Sequence, residues 1–350
     1  MKFLRYFLYL VFSLVILFGL FLLFSTIADY KPEERIIIDE SSMPDTLSID
    51  DSLCILTWNI GYCGLGKEMD FFYDGGEKTR DSKKSTHNNL NAISKFLVSN
   101  DTVDLFLLQE VDLKSKRTYR INEVSEIADV LDYPSHFFAP NFKVLFLPVP
   151  PSEPVGLVNS GLLTVSKIKP YLVERFDFPG SYPWPKNLFM LDRCFLVARI
   201  ALSNKKDLLI INTHNSAFDG GTLKKHEMEY LKNFIENEYS NGNYILVAGD
   251  WNQNPPGFDG SFFNKDSEYQ NFELANIPDD FLPNGWSWVY DKKFPTNRSV
   301  TTPYKPGETA TTILDFFLCS PNIKTEGART INLKFENSDH QPVLTSIKFK

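Results

Sequence analysis

The chain has 350 residues, 43% hydrophobic and 14% aromatic with 30 Phe, a composition that builds a substantial core and excludes a disordered protein. Its formal net charge of −8 becomes −10 once Lys2 and Arg5 are set aside, which weighs against gripping duplex nucleic acid by phosphate neutralisation. Four scattered cysteines exclude a disulfide scaffold and a CxxC metal site.

Residues 1–28 read as a membrane anchor. Lys2 and Arg5 precede residues 6–28, which carry no charge. As a helix this run is about 35 Å long, enough to cross a hydrocarbon layer of about 30 Å. A cleaved signal peptide is the rival reading, weakened by the length of the apolar run and an indifferent cleavage site at Thr26-Ile27-Ala28. Positive charge before the run, with Asp29, Glu33 and Glu34 after it, keeps the N-terminus in the cytoplasm and puts the rest outside. A single-pass, membrane-anchored protein with its bulk outside the cytoplasm is therefore expected, or a secreted one if the segment is cut. Residues 29–52, charged and holding Pro32 and Pro44, with only one short β-like run at Ile36–Ile38, read as a tether to a domain at 53–350.

Residues 53–59 (LCILTWN) form the first core strand, and a long polar and aromatic loop containing Gly64, Gly66, Gly75 and Gly76 follows at 61–85. Residues 88–98 place Leu90, Ile93, Leu97 and Val98 at helical spacing. A second strand at 103–110 ends in Gln109-Glu110, and Lys114, Lys116, Arg117 and Arg120 make a basic patch beyond it. A short helix is expected at 123–131, a strand with a loop within 136–154, a strand at 161–165 and an edge strand at 171–178. Residues 180–185 (GSYPWP) cannot be regular. Strands at 193–200 and 208–213 are joined by a turn at 204–207, and His214 ends the second. Residues 222–238 read as a helix capped by Thr222.

The run 244–252 (YILVAGDWN) is a buried strand entering a turn, with Asp250 and Asn252 just past its C-terminal end, where open α/β sheets place their chemistry. Residues 255–307 read as an aromatic, turn-rich surface region and not a separate domain. Its aromatics at 286–290, like those at 71–73, are candidates for dipping into a membrane interface. Strands at 311–319 and 343–349 close the chain. Strand–helix–strand, a hairpin, then strand–helix–strand predicts two packed sheets with helices outside.

Several strand ends carry the same kind of side chain: Asn59, Glu110, His214, and Asp250 with Asn252, while Asp339 and His340 open the last strand. Hard oxygen donors of this type suit Mg²⁺ or Mn²⁺, whereas zinc would ask for a tighter His/Cys set than five histidines provide. No GxSxG elbow, GxxxxGK[ST] loop or GxGxxG turn is present, which excludes the acyl-transfer and nucleotide-binding classes those motifs mark. Asp315, a carboxylate inside an apolar strand, needs a partner, and His340 is the natural candidate. Water attacking a phosphoryl centre is the chemistry this set fits.

The ordered pieces Thr57-Trp58-Asn59-Ile60, Leu108-Gln109-Glu110-Val111, Ile211-Asn212-Thr213-His214 and Gly249-Asp250-Trp251-Asn252 are followed by Ile313-Leu314-Asp315-Phe316-Phe317 and Ser338-Asp339-His340-Gln341-Pro342. As a set, covering 53–350, they resemble the endonuclease/exonuclease/phosphatase superfamily of metal-dependent phosphoesterases. The resemblance implies a four-layer α/β sandwich, two packed and mainly antiparallel sheets with helices outside and the site at one end. It implies Mg²⁺, with Mn²⁺ as the alternative, held by Glu110 with Asn59 and Asp339. Asp250 would orient or deprotonate the attacking water and Asn252 would hold a phosphate oxygen. His340, paired with Asp315, would act as base or phosphate donor, and His214 as the opposite donor. The choice of base between His340 and Asp250 stays open.

The segment Gly61-Tyr62-Cys63-Gly64 departs from the pattern: it lacks an acid that many nucleases of the superfamily carry, which argues against a second metal. Arg298, Arg193 and Lys84, with Lys83, are expected to contact phosphate. The expected activity is hydrolysis of a phosphodiester, a lipid head group or small molecule, outside the cytoplasmic membrane. The lipid bilayer is the expected partner through the N-terminal helix, and no protein partner is implied. A deoxyribonuclease or other nuclease acting on nucleic acid, a phosphomonoesterase and a non-catalytic anchored binding protein remain as alternatives.

Overall fold

Strands with apolar residues on both faces alternate with helices that bury one stripe, and the computed structural model stacks them into two sheets with helices outside. The structure describes residues 2–217, 221–259, 263 and 275–350. The chain opens with α1 (Lys2–Ile27), β1 (Arg35–Glu40), β2 (Thr46–Leu47), β3 (Ser52–Asn59), α2 (Lys83–Ser99) and β4 (Leu105–Asp112). It continues through α3 (Glu123–Leu131), β5 (Ser135–Leu147), β6 (Gly156–Ser166), β7 (Leu172–Asp177), β8 (Cys194–Leu202), β9 (Asp207–His214) and α4 (Thr222–Ser240). It closes with β10 (Tyr244–Asp250), β11 (Ser287–Val289), β12 (Asn297–Arg298), β13 (Thr311–Thr312), β14 (Asp315–Cys319), β15 (Ile323–Thr330) and β16 (Val343–Phe349).

One sheet has the order β1-β7-β8-β9-β10-β14-β11, with β2 on β8, and the other β15-β16-β3-β4-β6-β5. Both are mixed: β3 pairs β4, and β9 pairs β10, in parallel, while most other neighbours are antiparallel. Leu53, Ile55, Leu105 and Leu107 of one sheet meet Leu196, Leu208, Ile210 and Leu246 of the other in the central core. Beneath the first sheet, Leu56, Phe106 and Leu108 pack with Leu90, Ile93 and Leu97 of α2 and Ile127 of α3. Beyond the second, Leu209, Ile211 and Val247 pack with Met228, Leu231 and Ile235 of α4. A parallel pair must be joined by a crossover, here containing α2 and α4, so both partners end at the same edge of their sheet. Register then fixes neighbours: Asn59 lies beside Gln109, and Asp250 lies between His214 and Asp315.

Several expectations are corrected. The segment read as a tether contributes two strands: β1, with Ile36, Ile37 and Ile38, pairs β7, and β2 pairs β8, and Ile38 and Leu47 pack against the central core. Because β1 covers it, β7 is not the edge strand expected at 171–178. Gly221, at φ +95°, occupies the N-cap of α4 in place of Thr222, which is the first helical residue. The strand read at 311–319 breaks into β13 and β14, and β13 pairs β12. The aromatics at 286–290 are not free for a membrane: Trp288 packs on Trp251 and Phe316, and Trp286 on Tyr239. Parts of the surface region read at 255–307 lie outside the described residues. All four cysteines are free, and only Cys54 is not fully buried. Helix α1 is long and apolar enough to cross a membrane by length and composition.

Gly249 is a position where the fold tolerates no side chain. It sits at φ +151° opposite Thr213, and a Cβ there would stand 1.9 Å from the Thr213 carbonyl oxygen. Gly249→Ala is therefore expected to wedge β9 from β10 one residue before His214 and Asp250, costing at least about 2 kcal/mol. A thermal melt of the full chain in detergent reads this as a lowered midpoint.

Candidate active site

Three local devices aim the polar side chains. The first is a bulge in β4: two residues, Gln109 and Glu110, stand against one on β6 between the Leu108 and Val111 pairings. Glu110 adopts φ +53° there, so its side chain leaves the alternation of the strand. The second is the turn after β10, where the Asn252 N–H donates to Asp250 Oδ1 at 2.9 Å and Asn252 takes φ +49°. Trp251 locks this turn, stacked on Phe316 and donating from Nε1 to the Phe316 carbonyl at 3.0 Å. The third is the loop before β16. Ser338 Oγ donates to the Asn59 carbonyl at 2.8 Å, Trp58 Nε1 donates to the His340 carbonyl at 3.0 Å, and β12 bridges to His340.

These devices bring Glu110, Asp250 and both histidines together. Asn59 Nδ2 donates to Glu110 Oε1 at 3.2 Å and to Asp250 Oδ2 at 3.0 Å. His214 Nε2 lies 3.5 Å from Asp250 Oδ2 and 3.9 Å from Glu110 Oε1, and His340 Nε2 lies 3.6 Å from Asp250 Oδ2. His340 Nδ1 meets Asp315 Oδ2 at 2.7 Å, which supplies the partner that a carboxylate inside an apolar strand requires. Thr296 Oγ1 accepts from the backbone N–H groups of Leu314 and Asp315 and so holds that carboxylate in place.

Burial and neighbours push the two imidazoles apart. Burial lowers His214 well below its ordinary value, helped by the charges of Arg193 and His340. Burial would lower His340 as well, but Asp315, Asp250 and Asp339 outweigh it and raise it well above the usual range. Burial raises both Glu110 and Asp339, and the Asp339 charge adds to the effect on Glu110. Asp315 is pushed up to about 6 by burial, against the pull of His340.

Glu110, His214, Asp250, Asn252, Asp339 and His340 all line one cavity of about 250 Å³, whereas Asn59 and Asp315 stand behind its wall. Its donors fit a hard divalent cation. Buried carboxylates crowd around one point, and Gly61 leaves room for one of them, since a Cβ there would lie 2.7 Å from Asp339 Oδ1. Asp250, Asp315 and His340 offer ligand atoms within 4.8 Å of one another and could hold such an ion. Asp315 Oδ2, however, is engaged by His340, so the carboxylates freer to turn to an ion are Glu110, Asp250 and Asp339. Asn59 is corrected on this point: its carbonyl oxygen accepts from the Gly61 N–H at 3.0 Å, and its NH2 group is what faces the carboxylates. It orients ligands and is not itself turned as one.

The expected phosphate contacts divide. Arg193 lines the cavity and donates to the His214 carbonyl at 3.4 Å. Arg298 also lines it, but Nη2 donates to the Leu65, Gly66 and Met69 carbonyls and Nη1 to those of Ser299 and Thr302. It pins the loop after β3, so its fork is not open to a phosphate. Lys83 and Lys84 are exposed in the first turn of α2 and do not line the cavity. Of the basic patch after β4, Arg117 reaches the cavity wall, stacked on Tyr62 and paired with Asp112. Asn297 was missed: its side-chain amide lies 2.9 Å from His340 Nε2, from a segment with no strand-like periodicity to mark it.

The profile of the Endonuclease/Exonuclease/phosphatase family matches residues 56–340. The chain belongs to this family. Solved structures agree on the fold. An endonuclease/exonuclease/phosphatase from Beutenbergia cavernae aligns at a TM-score of 0.54 and 14% identity, over 85% of this chain and 72% of that one. A family protein from Bacteroides vulgatus aligns at 0.53 and 14%, over 86% and 100%. Truncated Caenorhabditis elegans TDP2 aligns at 0.52 and 14%, over 85% and 98%. No curated protein matches the chain in sequence. Family membership and the Asp250–Asp315–His340 cluster together support a metal-dependent phosphoesterase.

Asp315 does not line the cavity, so its replacement tests positioning and not contact. Asp315→Asn is expected to lower kcat on bis-(p-nitrophenyl) phosphate by about 10²-fold or more with little change in KM.

Proposed function

We propose that this protein is a Mg²⁺-dependent phosphodiesterase, with Mn²⁺ as the alternative ion, anchored by α1 and working outside the cytoplasmic membrane. The observation that carries the reading is that Glu110 and Asp250, from different sheets, accept from the same Asn59 nitrogen, with His214 within 3.9 Å of both carboxylates and His340 3.6 Å from Asp250. Glu110 and Asp339 would hold the ion, and Asn59 would orient Glu110. Such an ion, when bound, would supply charge neutralisation at the phosphate and lower the pKa of a nearby water.

The chain's own groups do the rest. Asp250 orients the attacking water and takes its proton. The Asp315 carboxylate keeps His340 a donor, directed at a phosphate oxygen, and Asn252 holds another. His214, across Asp250 from His340, supplies the hydrogen bond to the leaving oxygen. Two imidazole donors give both a non-bridging and the leaving oxygen of a phosphate ester a partner. Arg193 is the cation best placed to face the substrate's charge.

The test is turnover of bis-(p-nitrophenyl) phosphate by the full chain in detergent, beside plasmid DNA, sphingomyelin, phosphatidylinositol derivatives and phosphomonoesters. EDTA should abolish hydrolysis, Mg²⁺ or Mn²⁺ should restore it, and Glu110→Ala should cost at least about 10²-fold. Cleavage of plasmid DNA alone would make it a nuclease, and of monoesters alone a phosphatase. Absence of turnover with either ion, on every substrate, would leave a binding protein.

A further inference from the structure

The catalytic residues occupy only one end of their cavity. The other end is apolar: Phe142, Leu147, Val155, Phe189 and Met190 line it, and Leu147, Phe189 and Met190 also line a second, outer hollow. This apolar arm leads towards α1. Phe21 of α1 stacks on Phe189 with centroids 5.8 Å apart and meets Phe146 edge-on at 6.2 Å. Trp184 Nε1 donates to Thr26 Oγ1 at 3.2 Å. From residue 2 to residue 20 the helix is exposed, and its partial burial begins at Phe21.

That starting point fixes depth. A helix of 26 residues is about 39 Å long against a hydrocarbon layer of about 30 Å, so roughly 20 residues fill the layer. With Lys2 and Arg5 at the cytoplasmic boundary, the outer boundary falls between about residues 22 and 25, flanked by Phe21 and Thr26, and whatever touches those two side chains lies at that level. The surface there has the composition of a membrane interface. Leu145 is 50% exposed, Phe146 43% and Trp184 60%, with exposed Lys143 and Lys186 nearby in sequence. Such a cluster of large exposed apolar side chains is costly in water and is explained by a lipid surface continuous with the helix.

We infer that the rim formed by Leu145, Phe146 and Trp184 docks on the outer leaflet of the bilayer, so that the cavity opens onto lipid and its apolar arm receives the apolar part of an amphiphilic phosphoester. The docking rests on α1 being a membrane span, and the choice of substrate rests on the proposed phosphodiesterase.

The test uses the full chain in phosphatidylcholine vesicles, in a Cys54→Ser background because the other three cysteines are buried. An environment-sensitive fluorophore is attached in turn to Leu145→Cys, Trp184→Cys and Lys324→Cys. Lys324 is exposed on β15, at the opposite edge of the sheet from β5. Lipids carrying a nitroxide just below the head group should quench the label at 145 and 184 and leave the label at 324 bright. Equal quenching at all three positions, or none at 145 and 184, would overturn the docking whatever the activity of the protein. In a second arm, Leu145→Ser/Phe146→Ser should lower hydrolysis of a bilayer-embedded phosphodiester at least tenfold relative to the soluble bis-(p-nitrophenyl) ester. An unchanged ratio would overturn delivery of substrate from the bilayer, while loss of both activities together with intact quenching would count against the centre and not the surface.

Discussion

One side-chain nitrogen holds the centre together. Asn59 Nδ2 donates to a carboxylate on β4 of its own sheet and to another on β10 of the facing sheet, and Oδ1 of the same amide accepts from the Gly61 N–H. A buried amide so engaged cannot rotate without leaving charged acceptors unsatisfied, an expensive outcome away from water. The two sheets are thus tied at the edge where the polar strand ends meet. Just behind this tie, Gln109 Nε2 donates to Asn212 Oδ1 at 2.7 Å, also between sheets. Apolar packing fixes the separation of the layers, and these polar contacts fix their alignment along the strands.

Backbone geometry departs from the ordinary at the same edge. Glu110 and Asn252 both adopt positive φ, and Gly249 adopts a φ that side chains rarely take. The bulge at Glu110 and the turn at Asn252 each turn a side chain out of the regular alternation of a strand and into the cavity. Such conformations survive because neighbouring contacts over-determine them, here Trp251 on Phe316 and the paired strands on either side. Concentrated negative charge is the other cost at this edge. Glu110, partly buried, and Asp339, buried, lie near one another, and desolvation raises both carboxyls above their ordinary range. A divalent ion held there would remove that penalty, so the electrostatics of the site and its fit to a hard cation would have one cause.

The cavity joins two chemistries, carboxylates and imidazoles on the one hand and, on the other, a wall of Phe, Leu and Met that meets α1 through Phe189. That wall is built from β5 and the segment before β8, whose irregular Gly-Ser-Tyr-Pro-Trp-Pro stretch sets Trp184 against the last turns of the helix. Helix and cavity mouth are therefore parts of one surface, and the way the domain meets α1 bears on what can enter.

Much of the fold and the centre was legible in the chain itself. Apolar runs such as 244–248 had to be buried on both faces, so their terminal Asp250, and likewise Glu110 and His214, had to emerge at sheet edges. Asp315 demanded a partner inside an apolar strand, and His340 is that partner. Other features depend on contacts between distant segments and leave no local pattern. Asn297 meets His340 across 43 residues, Arg298 Nη2 is spent on backbone carbonyls more than 200 residues away, and the short run 35–40 becomes the outer strand of a sheet only because β7 lies beside it. Periodicity and residue type record what a segment must bury, and so they fixed the strands and the polar ends they carry. Which amide oxygen turns away, which arginine is already occupied, and which loop meets the end of α1 depend on packing in three dimensions, and only the tertiary structure decided them.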